Sequence, residues 1–380
     1  MEIYVVRQGD YLGSIGTRFG VGTAELAYAN QLPYPYYLAV GQALLIPNGS
    51  SPDEGKRTVM TRGFAYPFIS GWVLEQTLPY LTDLAVFSYG FTMNGDLLPP
   101  YWDDTWMINL AAEYGTVSIL TLTPLDERGM FNSYMITALL SNPAAQKNLI
   151  GQVLETMRYK NFSGLDIDFE FISAEDRVRF AQFVEDVKQA VAPEGYSVSV
   201  DLAPKIASDQ QGELYEGKDY GLLGKAADKV LLMTYEWGYT YGPPMGIAPI
   251  NKVREVVEYA VTEIPPEKIN LGIPNYGYDW TLPYVKGQSK AVTIGNVEAV
   301  QIAVQNQAEI MFDEVAMSPY FNYMKDGATH EVWFEDVRSI QAKFKLINEY
   351  GLNGAGYWQI MQLFRTNWLL AADTFNIQKE

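Results

Sequence analysis

The chain has no cysteine among its 380 residues, which excludes disulfides, thiolate nucleophiles and cysteine-bearing zinc sites together. It has one histidine, His330, so a multi-histidine metal centre is impossible and a Ser-His-Asp triad would have to pass through that position. His330 stands in KDGATHEVW, a turn followed by a strand-like run, where a structural hydrogen-bonding role or simple exposure is expected. Carboxylates are therefore left to carry any acid–base chemistry, and neither a metal nor a cofactor is expected. Positive charge is scarce as well: 27 Lys and Arg against 45 Asp and Glu give a formal net charge of −18, and no basic cluster offsets it. Nucleic acid is excluded as a partner, because counterion release has no electrostatic footing. No Gly-rich phosphate loop occurs. No apolar run approaches the ~20 residues that cross a bilayer, and the start, MEIYVVRQGD, lacks the basic and apolar regions of a signal peptide. Neither a membrane partner nor conventional secretion is expected.

Aromatic residues, by contrast, make up 14% of the chain, with 27 Tyr and 8 Trp, a composition suited to stacking on flat ligand faces such as sugars. The length suggests one large domain with a small appendage. Residues 2–47 form a β-α-α-β pattern: IYVV, then RQGDYLGSIGTRFGV and TAELAYANQL, then ALLIP. These residues, with YVVRQGDYLGSIGTRFGV, Asn30 and LAVGQALLIP, resemble the LysM family. The resemblance implies that residues 1–48 bind N-acetylated glycans. The gripping loops would be Gly9, Asp10, Tyr11 and Leu12, and the segment holding Asn30, Pro33 and Tyr34. Tyr11 stands where the family usually has Ser or Thr, and Leu12, Ile15, Leu26 and Leu44 also read as core. A polar stretch rich in Gly, Ser and Pro follows, and residues 49–57 are expected to be a linker.

From residue 58 onward, β-rich runs alternate with helical patterns. The runs are TRGFAY (61–66), LAVFSYGF (84–91), TVSILTLT (116–123), GLDIDFE (164–170), YSVSVDLA (196–203), KVLLMTY (229–235), INLGIPN (269–275) and NGAGYW (353–358). Stretches such as AAQKNLIGQVLETMRYK between them repeat apolar residues at three- and four-residue spacing. Eight such units predict an α/β fold, a closed (β/α)8 TIM barrel whose chemistry lies where the strands end. The interval of about 280–335 is too long for a loop and predicts an α+β insertion between strands 7 and 8.

In GLDIDFE the acids Asp166, Asp168 and Glu170 alternate with Leu165, Ile167 and Phe169. On a strand the two sets face opposite ways. The apolar set belongs against the helices, so three carboxylates point into the barrel, where unpaired charge is costly without a function. Crowded like charges should hold one acid protonated as a general acid, and Glu170, nearest the mouth, is the candidate. Asp168 lies beside it and cannot easily attack from across the scissile bond. An acetamido oxygen of the substrate could attack instead.

The chain from about residue 58 onward is similar to glycoside hydrolase family 18: SGLDIDFE for its DGxDxDxE pattern, MTYE for MxYD, then GIPNYGY and GYW. By that resemblance Glu170 protonates the leaving oxygen, Asp168 orients the acetamido group, Tyr235 hydrogen-bonds it and Trp358 forms the floor. Asp166 tunes its neighbours in support. Ser163 and Glu236 replace two aspartates of the pattern, and the longer acid at Glu236 could shift the sugar. Trp237, Tyr276 and Tyr278 either touch sugar or pack beneath the loops. MTYEWGYTYGPPMGIAPI and HEVWFED further resemble the spore cortex fragment-lytic branch, which implies N-acetylglucosaminidase action on spore peptidoglycan and a place in the spore or cell wall. The alternatives are a chitinase and a glycan-binding spore-coat protein without turnover. The oligomeric state is not readable from the sequence.

Overall fold

A computed structural model describes residues 1–49, 55–126 and 128–379. The expected linker over 49–57 lies largely outside the described residues, and the first barrel strand already begins at Arg57.

Eight parallel strands form the barrel: Arg57–Ala65, Asp83–Phe91, Val117–Leu122, Gly164–Ile167, Ser197–Leu202, Lys229–Leu232, Ile269–Pro274 and Gly354–Trp358. Each pairs with the next, and the eighth returns to the first through Gly354 opposite Met60, so the cylinder has no open edge. The helices that cover it are specified locally. In Pro143–Lys160, the Asn142 side chain accepts from the amides of Ala144 and Ala145, Pro143 occupies the first helical position, and Asn161 closes the helix at φ 60°. Its buried stripe is Ala145, Leu149, Val153 and Met157, one residue per turn.

The fourth strand shows how packing aims chemistry. Its ladder ends at Ile167, three residues before the run expected from the sequence, although the Asp168 amide still reaches the Leu122 carbonyl at 3.0 Å. Phe169 is fully buried and stacks on Phe180 and Phe183 of the helix Arg177–Val191 at 5.8 and 6.1 Å. Burying that ring stabilises the arrangement by roughly 1.5–3 kcal/mol. With Phe169 pinned outward, Asp168 and Glu170 on either side of it are directed into the barrel mouth.

The insertion is a five-stranded antiparallel sheet with a helix, Asn296–Gln305, and it starts at Gly277, slightly before the expected boundary. His330 sits within it, with Nδ1 2.8 Å from Asp279 Oδ1, while Tyr323 donates to the other carboxylate oxygen at 2.6 Å.

The N-terminal module has two antiparallel strands, Glu2–Val5 and Ala43–Ile46, around helices Leu12–Phe19 and Thr23–Ala29. Leu12, Ile15, Leu26 and Leu44 form its core. It also packs onto the rest of the chain. The Ile310 amide donates to the Val40 carbonyl at 2.8 Å. A Cβ on Gly41, whose φ is +81°, would stand 1.8 Å from the Ile310 carbonyl oxygen, so only glycine permits this approach. On the barrel side, the Arg365 guanidinium lies 3.9 Å from the Tyr28 ring centroid, and Gln31 bonds the backbone of Leu363 and Arg365.

Candidate active site

Inside the barrel, inward positions of the strands carry charge at the centre and aromatic rings above it. Arg62 of the first strand is buried, donating to Asp83 at 2.7 and 3.0 Å, to Asp166 at 2.8 Å and to Ser199 at 2.6 Å. Burial alone would discharge it, but Asp83 and then Asp166 outweigh that and hold it firmly protonated. Ser199 also donates to Asp166. Asp166 is therefore clamped from two strands.

Next above lie Asp168, Asp201 and Lys218, all buried. Lys218 comes from the loop after the fifth strand and donates to the Asp201 carbonyl at 2.6 Å. Four buried acids, Asp83, Asp166, Asp168 and Asp201, thus share two buried cations, Arg62 and Lys218. The surplus of negative charge is relieved by protons. Burial, followed by repulsion from Glu170, pushes the Asp168 carboxyl up to about 8. Burial and the neighbouring Asp166 and Asp168 raise Asp201 well above the usual carboxylate range. Both raised carboxyls lie below the barrel mouth, buried among like charges.

These groups open into a cleft of about 840 Å³ lined by Asp168, Glu170, Asp201, Tyr235, Glu236 and Trp358, among others. Gly272 and Gly356 make room in the barrel: a Cβ on the first would meet Tyr235 at 2.8 Å, and one on the second would meet Leu231 at 2.4 Å. Trp358 ends the eighth strand and is held edge-on by Phe87, with a centroid separation of 4.7 Å, and by Phe64 and Tyr66. Phe131, Phe171 and Tyr239 stand exposed around the opening.

The two substitutions in the family pattern behave differently. Ser163 lies before the fourth strand and outside the cleft lining. Glu236 lies in the cleft with a left-handed backbone, φ 69°, and its carboxylate accepts from the hydroxyls of Tyr276 and, at 2.9 Å, Tyr278. Enclosure raises its pKa, against the pull of those two hydrogen bonds. Tyr276 is buried outside the cleft lining and supports Glu236 from behind through its hydroxyl. Tyr278 and Trp237 line the cleft.

Arg62, Asp201 and Lys218 escaped the sequence reading. Asp201 had a signal, because Ser197, Ser199 and Asp201 alternate with Val198, Val200 and Leu202 just as the acids of GLDIDFE alternate with their apolar partners. Lys218 had none: it lies in a loop, and only the close packing of Gly217 on Ile172, where a Cβ would meet the carbonyl oxygen at 2.1 Å, carries it inward.

In the module the expected glycan-gripping residues separate. Leu12 is buried in the core and cannot reach a ligand, a correction that follows from its place on the inner face of its helix. Asn30 lines a cavity with Pro33 and Tyr34, while its amide bonds the carbonyls of Leu26 and Leu45 and the Leu45 amide, at 2.8 to 2.9 Å, and ties the helix to the strand. Asp10 accepts from Tyr4 and from the Arg7 amide, both at 2.7 Å, forming a turn with Gly9 at φ +88°. Tyr11 is exposed. Pro33 and the exposed Tyr34 border a separate cavity against the inserted lobe, which Gly9, Asp10, Tyr11 and Leu12 do not line.

Comparison with known proteins adds to this geometry. The description of glycosyl hydrolases family 18 matches residues 129–362, and that of the LysM domain matches residues 4–47. The chain is 38% identical to the cortical fragment-lytic enzyme of Bacillus subtilis (strain 168), over 100% of this chain and 99% of that protein. Its structure is similar to that of the Bacillus megaterium QM B1551 spore cortex-lytic enzyme SleL, with a TM-score of 0.94 and 33% identity over 100% and 99% of the two chains. A chitinase from Chromobacterium violaceum aligns with a TM-score of 0.76 and 25% identity, over 83% of this chain and 98% of that one.

Proposed function

The chain belongs to glycosyl hydrolase family 18 and carries a LysM domain, and from that premise we propose that it hydrolyses N-acetylglucosamine linkages in peptidoglycan fragments of the spore cortex, using Glu170 as general acid and base. The observation that carries the assignment of roles is the meeting of Glu170, Asp168, Tyr235 and Trp358 in one cleft, on a chain with full-length similarity to cortical fragment-lytic enzymes.

Glu170 gives its proton to the glycosidic oxygen. As that C–O bond breaks, the carbonyl oxygen of the substrate's own acetamido group bonds to the anomeric carbon, and the leaving sugar departs as an alcohol. The cyclic intermediate is cationic. Asp168, acting as a carboxylate, supplies the compensating negative charge and accepts from the acetamido N–H in a site shielded from bulk water. Tyr235 donates to the acetamido oxygen and aligns it for attack. Glu170, now a carboxylate, takes a proton from water as that water opens the ring, and the anomeric configuration is retained. Trp358 offers a face beneath the reacting sugar. Asp166 and Arg62 fix the strand below, and Glu236, braced by Tyr276 and Tyr278, sits beside the acetamido pocket. Action on cortex fragments places the enzyme in the spore.

Digestion of purified cortex fragments and of chitin oligosaccharides by the parent chain and by Glu170→Gln tests this, with products identified by mass spectrometry. Release of products ending in N-acetylglucosamine from cortex, lost in the variant, is expected; equal inactivity of both proteins on cortex would overturn it. Chitin is the second reading, favoured by the similarity to the Chromobacterium chitinase. Faster cleavage of chitin oligosaccharides than of cortex fragments would select it.

A further inference from the structure

Lys218 has no part in the reaction described above, yet it is 0% exposed, and lysine is almost never fully buried unless its charge is matched. It does not stand on a barrel strand. Its loop is seated by Gly217 against the Ile172 carbonyl, two residues beyond Glu170. From the other side Lys205 holds the loop, its ammonium donating to the carbonyls of Lys218 at 2.9 Å and Ser208 at 3.2 Å. The Lys218 ammonium donates to the backbone carbonyl of Asp201 at 2.6 Å, and among the described residues no carboxyl group accepts a hydrogen bond from it.

Two tiers of acid surround this cation. Asp166 is level with Ser199 in the parallel ladder, so Asp168 and Asp201, two residues further along each strand, face inward side by side. In the lower tier Arg62 is ion-paired with Asp83 at 2.7 Å and Asp166 at 2.8 Å, and its charge is matched there. Lys218 is the buried cation left for the upper tier of Asp168 and Asp201, and for Glu170 above it. The other groups facing these acids are the hydroxyls of Tyr66 and Tyr235, which burial keeps neutral, and the Glu236 carboxyl. Burial lowers the pKa of Lys218, against the pull of Asp168 and then of Glu170 and Asp201.

A cation held in this way can do what an ion pair cannot. A lysine bonded to the Asp168 carboxyl would favour its ionised form but occupy the oxygens that the acetamido N–H must reach. A charge fixed on a backbone carbonyl nearby favours the same form through space and leaves the carboxyl open to substrate.

We propose that Lys218 is a positioning residue for hydrolysis, whose charge acts on Asp168 and Glu170 and sets the pH window in which the two acids are correctly protonated. The inference rests on the roles given to those acids above. Removing a positive charge makes both acids harder to ionise, whichever of them titrates on the acidic limb, so the whole activity profile moves to higher pH.

The test is the pH profile of kcat/KM on cortex fragments for the parent chain, Lys218→Met and Lys218→Gln. Both substitutions remove the charge; glutamine keeps a donor for the Asp201 carbonyl should the methionine variant fail to fold. A displacement of both limbs by about one pH unit is expected, so that kcat/KM at a fixed pH on the acidic limb falls about tenfold and is recovered at higher pH. An unmoved profile in Lys218→Gln, whatever its rate, would leave only a structural role and overturn the inference. Should the parent cleave neither cortex nor chitin, the hydrolase reading fails, and the charge is still tested through stability. The Tm difference between a chain and its Asp168→Asn derivative changes with pH, and its midpoint should lie about one unit higher on the Lys218→Gln background than on the parent background. Equal midpoints would overturn the inference independently of activity.

Discussion

The two cavities of this molecule are built from opposite materials. The cleft at the barrel mouth sits over four buried carboxylates and two buried cations, so its chemistry is an excess of charge that protons must neutralise. The cavity between the module and the inserted lobe is lined by two carboxylates, each with its own cation, Glu335 with Lys343 and Asp336 with Arg338, among apolar walls that include Val297, Val300 and Phe334. The difference follows from pairing: an unbalanced cluster of buried acids holds protons under electrostatic pressure, whereas carboxylates matched one to one with cations do not.

The largest effect expected at the cleft is that of Glu170→Gln, which removes the transferable proton and should lower kcat by ~10²–10⁴-fold with little change in KM. A comparable rise in KM with kcat unchanged would mean that Glu170 binds substrate and transfers no proton. Asp168→Asn comes next, with a loss of about a hundredfold in kcat and a thermal signature. In the folded chain the Asp168 carboxyl is raised to about 8. Its protonated form therefore contributes stability in full below the ordinary carboxylate range, and that contribution is lost as pH rises toward and through about 8. The parent's Tm should fall between pH 5 and pH 9 more steeply than that of Asp168→Asn, as calorimetry at several pH values will show. Tyr276→Phe takes one hydrogen bond from Glu236 and should reduce kcat/KM about tenfold, because the support for that acid is a hydrogen bond to a charged group.

The part of the site legible in the sequence is the part written on strands. Period-two alternation placed Asp166, Asp168 and Glu170 on one face, and the burial of Leu165, Ile167 and Phe169 is its physical counterpart. The same alternation around Asp201 carried equal information and went unread. Eight β runs and the intervening helical patterns were enough for a closed barrel because each strand buries both faces and each helix one stripe. Lys218, in contrast, reaches the barrel from a loop, where no period constrains direction. Leu12 shows the limit from the other side: a family pattern marks a position without saying whether the side chain faces ligand or core.

From the sequence alone came the module, the barrel, the inserted lobe and the row of acids, since local periodicity and side-chain chemistry are properties of neighbours along the chain. The raised carboxyls of Asp168 and Asp201, the bracing of Glu236 by two tyrosines, and the cavity that joins Pro33 to Asn296 and Thr366 were decided by tertiary structure. Those features depend on desolvation and on contacts between residues tens to hundreds of positions apart, and such contacts exist only after the barrel has closed and the module has packed against the lobe.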